Sequence, residues 1–264
     1  MFFPKEFNPK RIKKCDTFKS RSKIIKNTNK NLRYLLEKRF FWMNKFIKNK
    51  KKIIELGSGN GLIKELLKNK NIVLTDIVKY PWITKKVDMA KLNLGRKYVN
   101  KVDVFIINHS LHHCCNPAKT LKRMSTYLKK NGLILLNEPE LSFTHKFFQV
   151  VLDDEPWSLK VNIFNSKKNI FKSNNPWAAN TAIAKLLFSD EAQFNHFFPE
   201  YKIIRNNLSE FFIFFNSGGV YNEVVHIPLN KFFLKLLDYI DSILIFLFPG
   251  IFALNRTVIL KKIK

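Results

Sequence analysis

Seven residues, Glu55-Leu56-Gly57-Ser58-Gly59-Asn60-Gly61, carry the sharpest chemical signal in the chain. Glycine at alternate positions lets a backbone turn tightly and come within contact distance of a ligand. A helix opening directly behind such a loop points its free amides at the same place. Nucleotide-type cofactors are held in this way. The dinucleotide fingerprint G-x-G-x-x-G would need its third glycine at position 62, where Leu62 stands, so this is not a loop of the NAD kind. Asp76 follows Gly57 by 19 residues and ends the next apolar run, where a carboxylate can accept both hydrogen bonds of a ribose diol.

A second group lies at Asn108-His109 and His112-His113-Cys114-Cys115. Adjacent residues point in different directions and no further cluster at ligand spacing occurs elsewhere, so no metal is expected. His112 and His113 serve either the loop-to-helix junction or contact with cofactor or substrate. Glu138 ends another apolar run and is a candidate acceptor-side base. Trp82, Trp157 and Trp177 could line an acceptor pocket or stack on a cationic centre; packing within a cap is the plainer use.

These residues need elements to hold them. Lys52–Leu56, Ile72–Thr75, Val102–Ile107 and Leu133–Leu136 read as buried strands. Helices are expected at 31–48, with Leu32, Leu35, Leu36, Phe40 and Ile47 on one face, at Leu62–Lys68, and at Pro117–Lys129. Asn116 caps the last of these, and Asn131-Gly132 is expected to close it with a left-handed residue. Apolar strands alternating with helices indicate a parallel sheet covered on both faces. Residues 140–198 are too long for a simple connection and suggest an inserted cap over the open end of the sheet. Residues 201–209 and 256–263 read as two further strands. Between them lies an apolar helical segment, 230–254, whose longest charge-free run is Ser242–Asn255, broken by Pro249-Gly250. That is short of the roughly 20 residues needed to span a bilayer, so a buried or dimer-forming helix is expected, with an interfacial membrane helix as the alternative. Residues 1–30 are basic and without clean periodicity, and read as a loose arm ahead of a single domain over 31–264.

Composition narrows the classes. A chain of 264 residues with 46% hydrophobic and 14% aromatic residues excludes wholesale disorder, and three cysteines cannot build a disulfide framework. The net charge of +27 suggests an anionic partner, but Arg supplies only 8 of the 47 basic residues, and nucleic-acid surfaces favour Arg. Joint enrichment of Lys, Asn, Ile and Phe is also what an AT-rich coding sequence produces. Nucleic acid is therefore not the favoured partner, and peripheral contact with a membrane is a second possibility. The N-terminus lacks the apolar core of a signal peptide, which implies a cytoplasmic protein.

Glu55–Gly61, Asp76, Asp88-Met89 and the stretch from Asn108 through His112-His113 and Gly132 to Glu138-Pro139 resemble class I S-adenosylmethionine-dependent methyltransferases, nearest the type 11 group. Asp76 with Pro81-Trp82, Pro176-Trp177 with Asn180, and Ser217-Gly218-Gly219 extend the likeness to some bacterial members. The resemblance implies a Rossmann-like α/β fold with a seven-stranded, mostly parallel sheet, its last two strands forming an antiparallel edge. It implies S-adenosyl-L-methionine as cofactor, with Gly57, Ser58, Gly59 and Gly61 under its methionine part and Glu55 anchoring that loop. Asp76 with Ile77 would hold the ribose, Asp88 and the Met89 backbone would lie by the adenine, and Asn108 or His109 beside the sulfonium. Many relatives carry an acid where this chain has His109. Catalytic candidates are thus His109, His112 and Glu138, and the acceptor is a small molecule, sugar or lipid-like compound. The alternative is a non-catalytic cofactor-binding or nucleic-acid-interacting relative.

Overall fold

A computed structural model of the chain describes residues 16–26, 29–152, 155–171, 177–221 and 223–264. Its framework is one sheet of seven strands, β1 Ile53–Leu56, β2 Ile72–Asp76, β3 Lys85–Lys86, β4 Val102–Asn108, β5 Leu128–Pro139, β6 Tyr201–Ser209 and β7 Asn255–Lys262. They lie in the order β3-β2-β1-β4-β5-β7-β6. The first five pair in parallel, while β7 runs antiparallel to both β5 and β6. This is the doubly wound, Rossmann-like arrangement, and its order reverses beside β1, between β1 and β4, where such sheets bind ligands.

Central strands buried on both sides explain the near-continuous apolar runs. Ile54, Leu56, Phe105, Ile107, Ile134 and Leu136 pack on one face, and Ile53, Val104, Ile106, Leu133 and Leu135 on the other. The helices are α1 Thr17–Ile25, α2 Lys30–Phe41, α3 Asn44–Ile47, α4 Ile63–Leu66, α5 Pro117–Tyr127, α6 Phe143–Leu152, α7 Ile183–Phe188, α8 Glu191–Phe197, α9 Phe212–Phe215, α10 Lys231–Leu247 and α11 Pro249–Phe252. Leu32, Leu36 and Phe40 of α2 and Ile63 and Leu66 of α4 cover the second face. Ala118, Leu121 and Met124 of α5 cover the first, with Ile183, Leu187 and Phe194 of α7 and α8.

Three expectations change. Residues 17–25 of the supposed loose arm form α1, whose Asp16 side chain caps the Lys19 amide at 2.9 Å; residues 1–15 lie outside the described part. The helix after Asn116 ends at Tyr127, so Asn131, at φ +62°, closes nothing; it sits in a bulge between the pairs Val102–Leu128 and Val104–Leu133. The apolar segment forms α10 and α11, but of α10 only Leu234, Asp241 and Ile245 are buried, while Phe232, Tyr239 and Phe246 stand well exposed. Among the described residues no helix is long and apolar enough to cross a membrane.

Candidate active site

A cavity of about 1370 Å³ opens at the C-terminal ends of β1, β2 and β4. Glu55, Gly57, Ser58, Gly59, Asp76, Ile77, Asp88, Met89, Asn108, His109 and His112 all reach its wall. Gly61 and Glu138 do not.

The glycine loop is pinned from several sides. Ser58 exchanges bonds with Thr75, its amide donating to Thr75 O at 2.9 Å and its Oγ accepting from the Thr75 amide at 3.1 Å. The Trp82 indole donates to Gly59 O at 2.8 Å, and Arg21 of α1 donates to Asn60 O at 2.8 Å. Gly57 and Gly59 hold φ of +69° and +47°, a region that side chains disfavour. A Cβ on Gly57 would fall 2.5 Å from Ser110 Cβ, and one on Gly59 would fall 2.7 Å from the Tyr221 hydroxyl. Neither position has room for a side chain, and both glycines line the cavity.

Asp76 ends β2 with Oδ2 accepting from the Gly59 amide at 2.8 Å and Oδ1 from the Val78 amide at 2.9 Å. Burial pushes its carboxyl above the usual range, against the pull of these donors. Glu55 is 3% exposed, and its Oε2 has no hydrogen-bond partner among the described residues. Burial raises its pKa to about 8, with Asp76 adding to the rise and a Ser58 hydrogen bond opposing it. Asp88 caps a short 3-10 turn through the Ala90 amide, and the Met89 carbonyl accepts from Thr120. Asn108 Oδ1 accepts from Asn137 at 3.0 Å.

At the tip of β4, His109 adopts φ +47°, its amide donating to Asn137 O at 2.7 Å. Burial, with Arg39 and His112 nearby, keeps the ring neutral, and its Nε2 has no partner among the described residues. Glu138 is not placed as a base. It is 1% exposed and saturated: Oε1 accepts from the Ser110 and Leu111 amides, both at 2.8 Å. Oε2 accepts from the His112 amide at 3.2 Å and from His112 Nδ1 at 2.7 Å. Glu138 therefore shapes the turn after β4 and aims His112, rather than reaching a substrate. Burial would lower the His112 pKa, but the Glu155 and Glu138 carboxylates outweigh it and raise it to about 10.

Glu155 is the residue that sequence reading missed. It arrives from the segment between α6 and α7, 3.2 Å from His112 Nε2 and 3.5 Å from His113 Nε2; no periodicity or motif singled it out. Helix α6 supplies His145 and Phe148, the stretch before α7 supplies Trp177, and the segment after α9 supplies Val220 and Tyr221. Of the three tryptophans considered, only Trp177 is on the cavity wall. Trp82 stacks on Tyr80 at 5.3 Å beneath the loop, and Trp157 lies under Lys146.

A family profile described as a methyltransferase domain matches residues 25–200, two thirds of the chain. No protein of curated function matches. Among solved structures, the chain is similar to a SAM-dependent methyltransferase from Archaeoglobus fulgidus, with 13% identity, 87% of this chain and 94% of that one covered, and a TM-score of 0.47. It is also similar to a coclaurine N-methyltransferase bound to N-methylheliamine and SAH (13% identity, 84% and 70% covered, TM-score 0.46). A third likeness is to the trans-methyltransferase CalH in complex with SAH (15% identity, 93% and 65% covered, TM-score 0.45).

Proposed function

Because the chain belongs to the methyltransferase-domain family and is an S-adenosylmethionine-dependent enzyme, we propose that its cavity binds that cofactor along the glycine loop and presents the methyl group to a small organic acceptor held under the cap. The observation that carries this reading is the pairing, in one cavity, of a bare glycine backbone with two carboxylates at the ends of β1 and β2.

The residues fit the cofactor. Gly57 and Gly59 stand on the cavity wall without side chains, so a methionine moiety can lie against their backbone. The unpartnered Glu55 Oε2 is suited to an ammonium group. The Asp76 oxygens, each carrying one backbone bond, keep lone pairs for a ribose diol. Ile77 and Met89 offer apolar surface, Asp88 a polar edge for the adenine, and Asn108 stands at the tip of β4. The functional unit includes α1, since Arg21 holds the loop.

When bound, S-adenosylmethionine supplies a methyl group already activated on a sulfonium. The chain's remaining task is to orient the acceptor's nucleophile and exclude water. His109, neutral and with an unpartnered Nε2, can share a hydrogen bond with an O–H or N–H acceptor. Phe148, Phe171, Trp177, Phe214 and Phe215 make much of the cap-side wall aromatic, which suits an acceptor with an apolar portion, including a lipid-like one.

Calorimetric titration with S-adenosylhomocysteine tests the cofactor half. Wild type is expected to bind it and to show no heat with NAD. Asp76→Ala removes two charge-assisted bonds at roughly 1.5–3 kcal/mol each, so affinity should fall at least tenfold with the fold retained. Gly59→Val should abolish binding. Equal affinities in wild type and Asp76→Ala would remove Asp76 from the ribose site, and heat with NAD alone would overturn the whole reading.

A further inference from the structure

Two imidazoles and a carboxylate converge on the cap side of the cavity, from a turn after β4 and from a loop far along the chain. His112 Nδ1 lies 2.7 Å from a carboxylate oxygen of Glu138, and His113 Nδ1 lies 3.0 Å from the Ala178 carbonyl oxygen. Both partners can only accept, so both rings carry their proton on Nδ1. In the neutral rings the two Nε2 atoms are then lone-pair donors, and both point at Glu155. His112 Nε2 is 3.2 Å from Glu155 Oε2, and His113 Nε2 is 3.5 Å from Glu155 Oε1. A proton on His112 Nε2 satisfies the first of these contacts, but the second leaves the His113 lone pair facing a carboxylate oxygen. One divalent ion would satisfy both.

We propose that His112 Nε2, His113 Nε2 and the Glu155 carboxylate form a binding site for a first-row divalent metal ion of the zinc class, with its open positions facing the cavity. The ligand atoms lie within 4.8 Å of one another. The 3.2 Å between His112 Nε2 and Glu155 Oε2 is near the edge of a tetrahedron with bonds of roughly 2.0–2.1 Å, the usual Zn–N and Zn–O length, and His113 Nε2 faces the other oxygen of the same carboxylate at 3.5 Å. Glu155 is partly exposed and free to close the remaining gap. Glu138 behind His112 and the Ala178 carbonyl behind His113 are the outer-shell acceptors that fix the tautomer of metal-binding histidines. The charges also balance, because Glu138 and Glu155 together carry the two negative charges that one divalent ion neutralises. Cys114 takes no part, its Sγ being engaged with Thr120 Oγ1 at 3.2 Å. A set of two nitrogens and one carboxylate, without thiolate, favours zinc, iron(II), cobalt or manganese over soft metals.

Three protein ligands leave room for an exogenous oxygen, so the acceptor class is an alcohol, enol or phenol bound through oxygen to the ion. This second step rests on the methyl-transfer reading; the metal site itself does not. In the transfer the acceptor's O–H proton leaves to water at the cavity mouth. The oxygen pair forms the O–CH3 bond as the S–C bond breaks, and that bond's electrons remain on sulfur.

Titration of the metal-free full chain with Zn2+, and with Co2+ followed by visible absorption, tests the site. Wild type is expected to bind one ion, with the intense absorption of low-coordinate Co2+. Glu155→Gln and His113→Ala should each weaken binding at least tenfold and lose that absorption. Glu138→Gln, which weakens the acceptor behind His112 Nδ1 and the hold on the turn after β4, should weaken it about 10- to 100-fold. S-adenosylhomocysteine titration of each variant shows whether it is folded. Absence of binding to wild type, or an affinity and spectrum unchanged in Glu155→Gln, would overturn the metal site. Failure of wild type to bind S-adenosylhomocysteine while it binds the metal would instead overturn the cofactor assignment.

Discussion

Glu55 ties ligand binding to pH more directly than any other side chain in the cavity. Its carboxyl is buried beside Asp76 and holds its proton to about pH 8, whereas an unfolded glutamate loses it near 4.5. Between those values the folded state binds the extra proton, so stability of the free protein should fall as pH rises. An ammonium group brought next to Oε2 favours the ionised form, so cofactor binding should expel that proton. We expect affinity for S-adenosylmethionine to rise with pH up to about 8 and then level off, with a proton released per molecule bound at neutral pH. Calorimetry in buffers of different ionisation enthalpy measures that proton. In Glu55→Gln both the slope and the proton should vanish, and a slope that survives would place the ammonium elsewhere. At this scale the sequence was most legible where residue type and spacing are themselves the pattern: the glycine loop and the strand-end carboxylate predict one shared place, and Gly57, Gly59 and Asp76 stand together on the cavity wall. Glu138 could not be read correctly. Its position at a strand end is that of a catalytic acid, but its four donors come from a turn folding back over it, which no linear pattern displays.

Helix α1 shows the same limit among the elements. Its residues, Thr17-Phe18-Lys19-Ser20-Arg21-Ser22-Lys23-Ile24-Ile25, offer a short and poorly amphipathic stripe, so the stretch reads as a solvated arm. What holds it is long-range. Arg21 donates to Asn60 O and pairs with Glu65 at 2.7 Å, Ser20 Oγ donates to Val220 O at 3.0 Å, and Phe18 packs edge-on to Tyr80 and Trp82. A chain beginning at Asn31 should therefore stay folded but lose at least tenfold in affinity for S-adenosylhomocysteine. Unchanged affinity would mean that α1 only covers the loop. The strands and α5 were legible because buried β-runs and an Asn-Pro cap are local facts. The exposure of α10 was not, because an apolar sequence says that a face wants cover, and only the packed structure shows which faces receive it.

For the molecule as a whole, 47 basic against 20 acidic residues make the folded state work against its own repulsion. Screening lengths shrink to about 10 Å at 0.1 M salt, so the Tm should rise on going from low to moderate NaCl. A falling Tm would show that ion pairs such as Lys129–Asp103 outweigh the repulsion. The cofactor loop has a further consequence, which concerns time rather than energy. Its fastenings come from Arg21 near one end of the chain and from Asp76 and Trp82, while Val220 and Tyr221, far along the chain, wall the cavity over it. The strand that closes the sheet between β5 and β6 is the last one made. On a ribosome, the glycine loop and Asp76 emerge long before the segment that roofs them. A nascent chain released before residue 221 would carry the whole fingerprint and still be unable to keep its ligand, so possession of the cofactor certifies that synthesis has passed that point.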